Sequence, residues 1–374
     1  MRHIAFINEN TLGHASYLVP YVRWFERHPR LELTPHLLNA TPLPPALATR
    51  ANLTVPGLRG FGLDFHATRW RLAVSRHVRA QVDELRRRQP LDALVVNTQS
   101  VALELADLAQ EMPVFVCLDA TFTQLARSRW FAPNMLARLL QPVTLATLWR
   151  KERELFRAAR ALLPWSERAE FSLVEDCGVE PERIFRLPPS VIPPPRPRAA
   201  RREHQLPQVL FVGGDFKRKG GPLLLECFHQ HLTGACELHI VTESDVAPEE
   251  GVVVHRGVKA GSDAWRERWE QADLFVFPST LETFGIVLVE ALAFQVPVVA
   301  SDVGAAPEVL DDGDAGWLLP DVNPRALAAA IREALSQPAE AALRARRGRR
   351  IVERQFNLEA NARRLAIMLG AGRA

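Results

Sequence analysis

Short runs of continuously apolar residues alternate along this chain with segments whose apolar positions recur every three to four residues. The runs predict strands at 3–8, 33–38, 93–97, 113–118 and 161–164 in the first half, and at 208–213, 237–242, 251–255, 273–278 and 296–301 in the second. A strand apolar on both faces is one covered on both faces, and helical crossovers between such strands predict parallel sheets with helices on either side. The stretch 188–207 interrupts this alternation with prolines, which forbid regular helix and mark a linker. The pattern therefore predicts an α/β chain of two doubly wound domains, 1–187 and 208–355, with a final helical segment at 356–374. In folds of this kind ligands bind at the carboxyl ends of the strands, so the expected architecture is two Rossmann-like domains facing a central cleft.

One helical segment raises a second reading. Within 69–88 the residues Val74, Val78, Val82 and Leu85 line one side and arginines crowd the other. An amphipathic helix lying on a domain core is the simpler account, and peripheral membrane contact through the N-terminal domain is the alternative. The run 130–149 is apolar enough to line a pocket or touch lipid, with core packing again the simpler expectation.

Composition narrows the class. With 374 residues, 47% apolar and 24% charged, the chain reads as an ordinary soluble protein of two domains. The net charge of +3 is unevenly spread, since residues 1–190 hold 24 Lys and Arg against 19 Asp and Glu. No nucleic-acid motif or aromatic platform accompanies the basic residues, so nucleic-acid binding is not expected. No uncharged apolar stretch is long enough to span a bilayer, and the first residues read as a strand rather than a signal peptide, which predicts a cytoplasmic protein with at most peripheral contact at the inner membrane face. The four cysteines show no paired spacing, and Cys227, His229 and His231 lack a second ligand pair, so neither disulfides nor a metal site is expected.

The chemistry concentrates after strands. Following 273–278 comes Ser-Thr-Leu-Glu282-Thr283-Phe284-Gly285-Ile286, and then an apolar helix carrying Glu290. A carboxylate inside such a helix faces a large desolvation cost unless it meets a polar partner, which makes Glu290 a candidate. First-turn amides of Thr283 to Ile286 would suit an anion. After 208–213 comes Gly213-Gly214-Asp-Phe-Lys-Arg218-Lys219, in which glycines allow close backbone approach and cations neutralise a phosphate. In the first domain Gly13 and His14 follow the first strand and open a helix running past Trp24, and Asp119 follows the strand at 113–118. His14 reads either as a ligand contact or as a helix cap, and Asp119 either as a holder of a hydroxyl or as a loop cap.

Taken in order, Pro-Ser-x-x-Glu282-x-Phe-Gly, Glu290-Ala, Pro297-Val-Val-Ala-Ser, Pro307-Glu-Val and Asp312-Gly-x-x-Gly-x-Leu-x-Pro resemble the signature of family 4 glycosyltransferases. The resemblance implies the GT-B fold, with the last helix crossing back to the first domain. It implies a retaining enzyme that moves a hexosyl group from a nucleotide-diphosphate sugar, such as a UDP- or GDP-hexose, to a sugar, lipid-linked or small-molecule acceptor. No dedicated metal and no further cofactor is implied, since cations and helix amides stabilise the leaving diphosphate, and a donor phosphate oxygen assists deprotonation of the acceptor. By this resemblance Glu290 binds the ribose, Glu282 the sugar hydroxyls, and Lys219 the diphosphate; Gly13 lies near the diphosphate. Three positions depart from the pattern. Gln295 replaces a glycine, Gly214 stands where an arginine is usual, with Arg218 as its substitute, and Leu118 stands where a histidine is usual. The last two favour the alternative, a noncatalytic sugar-nucleotide-binding or membrane-associated scaffold of the same fold. A GT-B phosphorylase or epimerase is a further alternative.

Overall fold

The computed structural model describes residues 1–53, 65–128, 134–194 and 206–371. Much of the expected linker, residues 195–205, and the beginning of the apolar run, residues 130–133, lie outside the described residues. Two compact units divide the chain: Met1–Pro189 together with Leu358–Ala374, and Ser190–Asn357.

The first unit is built on five parallel strands: β1 (Arg2–Asn8), β2 (Leu33–Asn39), β3 (Ala93–Asn97), β4 (Val114–Leu118) and β5 (Ala161–Pro164). They lie in the order β2-β1-β3-β4-β5. Every residue of β3, β4 and β5 is buried, which is why these strands read as unbroken apolar runs. The chain leaves β1 towards β2 on one side and returns to β3 on the other, so the order reverses between β1 and β3. Register puts Asn8 beside Asn97 and Asn97 beside Cys117, so the carboxyl ends of β1, β3 and β4 finish together.

The helix His66–Arg88 packs Val74, Val78 and Val82 into the core of this sheet. Its apolar side is thus used internally, and the membrane-surface reading of this segment falls. The single helix expected from Gly13 onward is in fact a 3-10 turn, Leu12–Ser16, followed by an α-helix, Leu18–Glu26. The run expected to pack as core divides its sides: Ala137, Gln141 and Thr144 of the helix Met135–Thr144 are buried, whereas Met135, Leu136, Leu139 and Val143 are exposed. The final helix, Leu358–Met368, returns to this unit and packs on Leu18–Glu26. There the Trp24 indole donates to Glu359, and Arg2 donates to the Leu369 carbonyl at 2.7 Å.

The second unit holds β6 (Gln208–Val212), β7 (Glu237–Val241), β8 (Val252–His255), β9 (Leu274–Phe277), β10 (Val298–Ser301) and β11 (Trp317–Leu319), all parallel. Their order is β11-β10-β9-β6-β7-β8, the doubly wound arrangement whose reversal falls between β6 and β9. β11 was not expected from the sequence. It has three residues and sits at the edge, too short to show a period. A separate core of Phe211, Ile240, Val276 and Val299 with Leu224, Phe228 and Ile331 stabilises this unit. All four cysteines are free.

Candidate functional site

In each unit the polar chemistry collects where the strand order reverses. In the second unit the loop after β6 carries Gly213, Gly214, Arg218 and Lys219, and the loop after β9 carries Glu282, Thr283, Phe284 and Gly285. The two loops touch because residue 220 is glycine. Gly220 has φ of +80°, and a Cβ there would lie 1.9 Å from the Pro278 carbonyl oxygen. That contact brings the Lys219 ammonium onto the Glu282 carboxylate, and also 5.5 Å above the Phe277 ring. Gly213 lies against the Lys219 stem, where a Cβ would meet it at 3.0 Å. Burial pulls the Lys219 ammonium below the ordinary lysine value, against the opposing pull of Glu282. A half-buried pair of this kind is weak evidence for stability, since desolvation offsets much of its attraction. Its placement at the strand ends is what makes it a candidate for binding.

Arg218 lies beside the pair. Its guanidinium donates to the Leu281 carbonyl at 3.3 Å and pairs with Asp215 at 3.4 Å. Gly214 is exposed, and a Cβ built there meets nothing within 4 Å. Gly285, with φ of +88°, precedes the helix Ile286–Ala293. The amide of Thr283 donates to Glu282 Oε1 at 3.2 Å, so it is not the open donor that the sequence suggested. Of the four amides named there, those of Gly285 and Ile286 head the helix proper. Phe284 points the other way: it is buried and packs against Phe356. One turn into the helix, burial holds the Glu290 carboxyl up at about 8, while a hydrogen bond from the Trp265 side chain pulls it down. Trp265, on the helix Asp263–Gln271, was not foreseen; that helix is mostly polar, and of its two tryptophans Trp269 is the one buried in the core, so Trp265 carries no signal of its own.

In the first unit Gly13 is exposed in the 3-10 turn after β1, and His14 beside it turns inward. His14 Nε2 lies 3.4 Å from Asp119 Oδ2, and its ring rests on Trp165 at a centroid distance of 5.0 Å. Neither residue is a cap. Thr11 is the N-cap of the turn, and Thr121 with Gln124 forms the capping box of the helix after β4. Sequence reasoning missed Glu9, which follows β1 directly and reads as a strand-end acid. It accepts hydrogen bonds from the Thr98 hydroxyl at 2.6 Å and the Thr11 hydroxyl at 3.3 Å. Burial would lower the His14 imidazole, but the carboxylates of Asp119 and Glu9 outweigh it and hold the group up at about 9. At neutral pH it is a cation between two acids.

Residues 206–337 match the family model described as "Glycosyl transferases group 1". A D-inositol 3-phosphate glycosyltransferase of Kineococcus radiotolerans is 29% identical over 237 residues, 53% of this chain and 54% of that protein. A phosphatidyl-myo-inositol mannosyltransferase of Mycobacterium leprae is 39% identical over 138 residues, covering 33% and 36%. The chain thus spans about half the length of the curated relatives first matched. Among solved structures, sucrose-phosphate synthase from Thermosynechococcus elongatus superposes with a TM-score of 0.72 at 18% identity, over 98% of each chain. HepE of Anabaena, in complex with UDP-glucose, gives 0.66 at 15% identity over the whole of both chains. Residues 206–337 are thus similar to the group 1 glycosyltransferases, and the fold of the chain is the GT-B fold of the structures it superposes on.

Proposed function

We propose that the protein transfers a hexosyl group from a nucleotide-diphosphate sugar to an acceptor hydroxyl with retention of anomeric configuration. The observation that carries this reading is the Lys219–Glu282 pair, set beside the N-terminus of a helix that holds the half-buried Glu290, all inside the segment matched by the family model. In this reading Glu290 holds the ribose hydroxyls. A carboxyl held near 8 carries a proton at neutral pH, so it can both donate to one hydroxyl and accept from the other. Glu282 takes hydroxyls of the donor sugar. Lys219 and the amides of Gly285 and Ile286 take the diphosphate, and their charge and dipoles stabilise it as it leaves. Arg218 lies near enough to Leu281 to join them.

In the transfer step the bond from the anomeric carbon to the diphosphate oxygen breaks and a bond to the acceptor oxygen forms on the same face. The acceptor proton passes to a donor phosphate oxygen. Neither chemical role needs a dedicated metal. The Glu9, His14 and Asp119 group is assigned to the acceptor: two carboxylates to accept from its hydroxyls, and a cationic imidazole to meet a phosphate or a third oxygen. Because HepE was crystallised with UDP and UDP-glucose, UDP-glucose is the first donor to test.

The test is a thermal-shift panel of UDP-, GDP-, ADP- and dTDP-sugars on wild type and Glu290→Ala. A donor at about 100 times its dissociation constant adds about 2.7 kcal/mol of stability. One nucleotide sugar should stabilise the wild type and lose most of its effect in the variant, and NMR of the product should then show the donor's anomeric configuration kept. Absence of any shift would end the transferase reading.

A further inference from the structure

The helix Met135–Thr144 breaks the rule that governs every other long helix of its unit: its apolar side faces outward. Met135 is 77% exposed, Leu139 70%, Val143 62% and Leu136 43%. Residues 135, 139, 142 and 143 fall on one helical stripe, so these side chains form a continuous apolar strip rather than scattered points. At its far end Pro142 and Ala146 form one wall of a hollow of about 340 Å³, whose other walls are Trp149, Arg150, Arg153, Glu154 and Arg157. The three arginines project from one side of the helix Ala146–Ala158, and Glu154 is the single acid among the lining residues.

An apolar strip continuous with a basic hollow is the recognition chemistry of a surface that is apolar beneath and anionic above. We propose that this strip and hollow dock on an anionic lipid bilayer, with Met135, Leu139 and Val143 entering the acyl boundary and Arg150, Arg153 and Arg157 meeting the phosphate headgroups. Trp149 lines the hollow from within, its half-buried ring packed on the core around Leu145 and Leu148 and its indole nitrogen turned inward, so the basic side chains stand on a fixed apolar floor. Charge selects this occupant over a second copy of the chain: a two-fold contact through the same patch would bring the three arginines of one copy against those of the other. The surface uses none of the groups assigned above to donor or acceptor, so it stands or falls independently of the proposed activity.

Flotation of the full chain with vesicles tests it, once with phosphatidylcholine alone and once with phosphatidylcholine containing phosphatidylglycerol. The wild type should float with the anionic vesicles and stay down with the neutral ones, and added salt should release it. Replacing Arg150, Arg153 and Arg157 together by Gln should weaken binding to anionic vesicles by roughly a hundredfold or more, at about tenfold for each 1.4 kcal/mol. Met135→Gln with Leu139→Gln, both on exposed positions, should also abolish flotation while leaving the thermal midpoint unchanged. No flotation of the wild type, equal flotation on neutral vesicles, flotation undiminished in either variant, or a molar mass that doubles with concentration and returns to monomer in Met135→Gln/Leu139→Gln would each overturn the proposal.

Discussion

Gly214 is where the chain departs from the signature it resembles at a position that matters for charge. The resemblance places an arginine there for the donor diphosphate, and the space around the position is open. Arg218, the nearby candidate substitute, divides its guanidinium among the Leu281 carbonyl, Asp215 and, in the proposed reading, the diphosphate, so a second cation has room to add to it. Gly214→Arg should therefore fold normally and bind the nucleotide-sugar donor more tightly. A charge-assisted hydrogen bond contributes about 1.5–3 kcal/mol, roughly a ten- to hundredfold change in dissociation constant. Isothermal titration of the variant reads this directly; unchanged or weaker affinity would mean that the diphosphate does not lie over this loop. At this scale the sequence showed the acids and cations but not their partners. Glu282 and Lys219 were visible, yet their pairing depends on Gly220 pressing one loop onto another, which no local pattern encodes. Glu9 and Trp265 stayed hidden because an acid at a strand end and a tryptophan in a polar helix are both ordinary.

Elements were more legible, because a strand covered on both faces has no choice but to be apolar throughout. The same reasoning fails for β11, with three residues at the sheet edge, and for the helix Met135–Thr144, whose apolar stripe looks the same in sequence whether it faces a core or solvent. Gln295 shows an element tolerating a poor residue. It follows the helix Ile286–Ala293 in the left-handed region, with φ of +56°. Its amide donates to the Leu292 carbonyl and that of Val296 to the Ala291 carbonyl, the paired bonds of a Schellman end. Glycine is the usual occupant, as the family pattern also has it. Gln295→Gly should relieve about 1–2 kcal/mol of left-handed strain, less about 0.4–1 kcal/mol regained by the freer unfolded chain. The net gain is roughly 0.5–1 kcal/mol, readable as a higher urea midpoint at unchanged slope. A lower midpoint would show that the Gln295 side chain contributes more than its backbone costs.

For the whole molecule, buried titratable groups give stability a direction with pH. Glu152 is buried beneath the helix after β4, where it accepts from the Phe122 amide at 2.8 Å and from Gln99 at 3.1 Å; burial nonetheless lifts its carboxyl to about 8. Glu290 is lifted to a similar value. What such a carboxyl contributes is intact below its unfolded value of 4.5 and is lost as pH rises through about 8. His14, held at about 9, contributes fully below 6.5 and loses that contribution as pH passes 9. His255 runs the other way: burial and Arg268 lower it to about 4, so its contribution is intact above 6.5 and disappears only in acid. Between pH 6.5 and 9 the first three act together and the fourth is constant. Urea midpoints should therefore fall across that window, and Glu152→Gln should flatten the slope; a midpoint that rises with pH would contradict the assignment.

The discontinuity of the first unit has a consequence in time as well as space. A ribosome delivers β1 to β5 first, then the whole of residues 190–357, and only afterwards the helix Leu358–Met368 that covers Leu18–Glu26. The half of the protein made earliest is thus the last to be completed, and its helix Leu18–Glu26 waits uncovered through the synthesis of everything between, an interval in which exposed apolar surface is a hazard for aggregation.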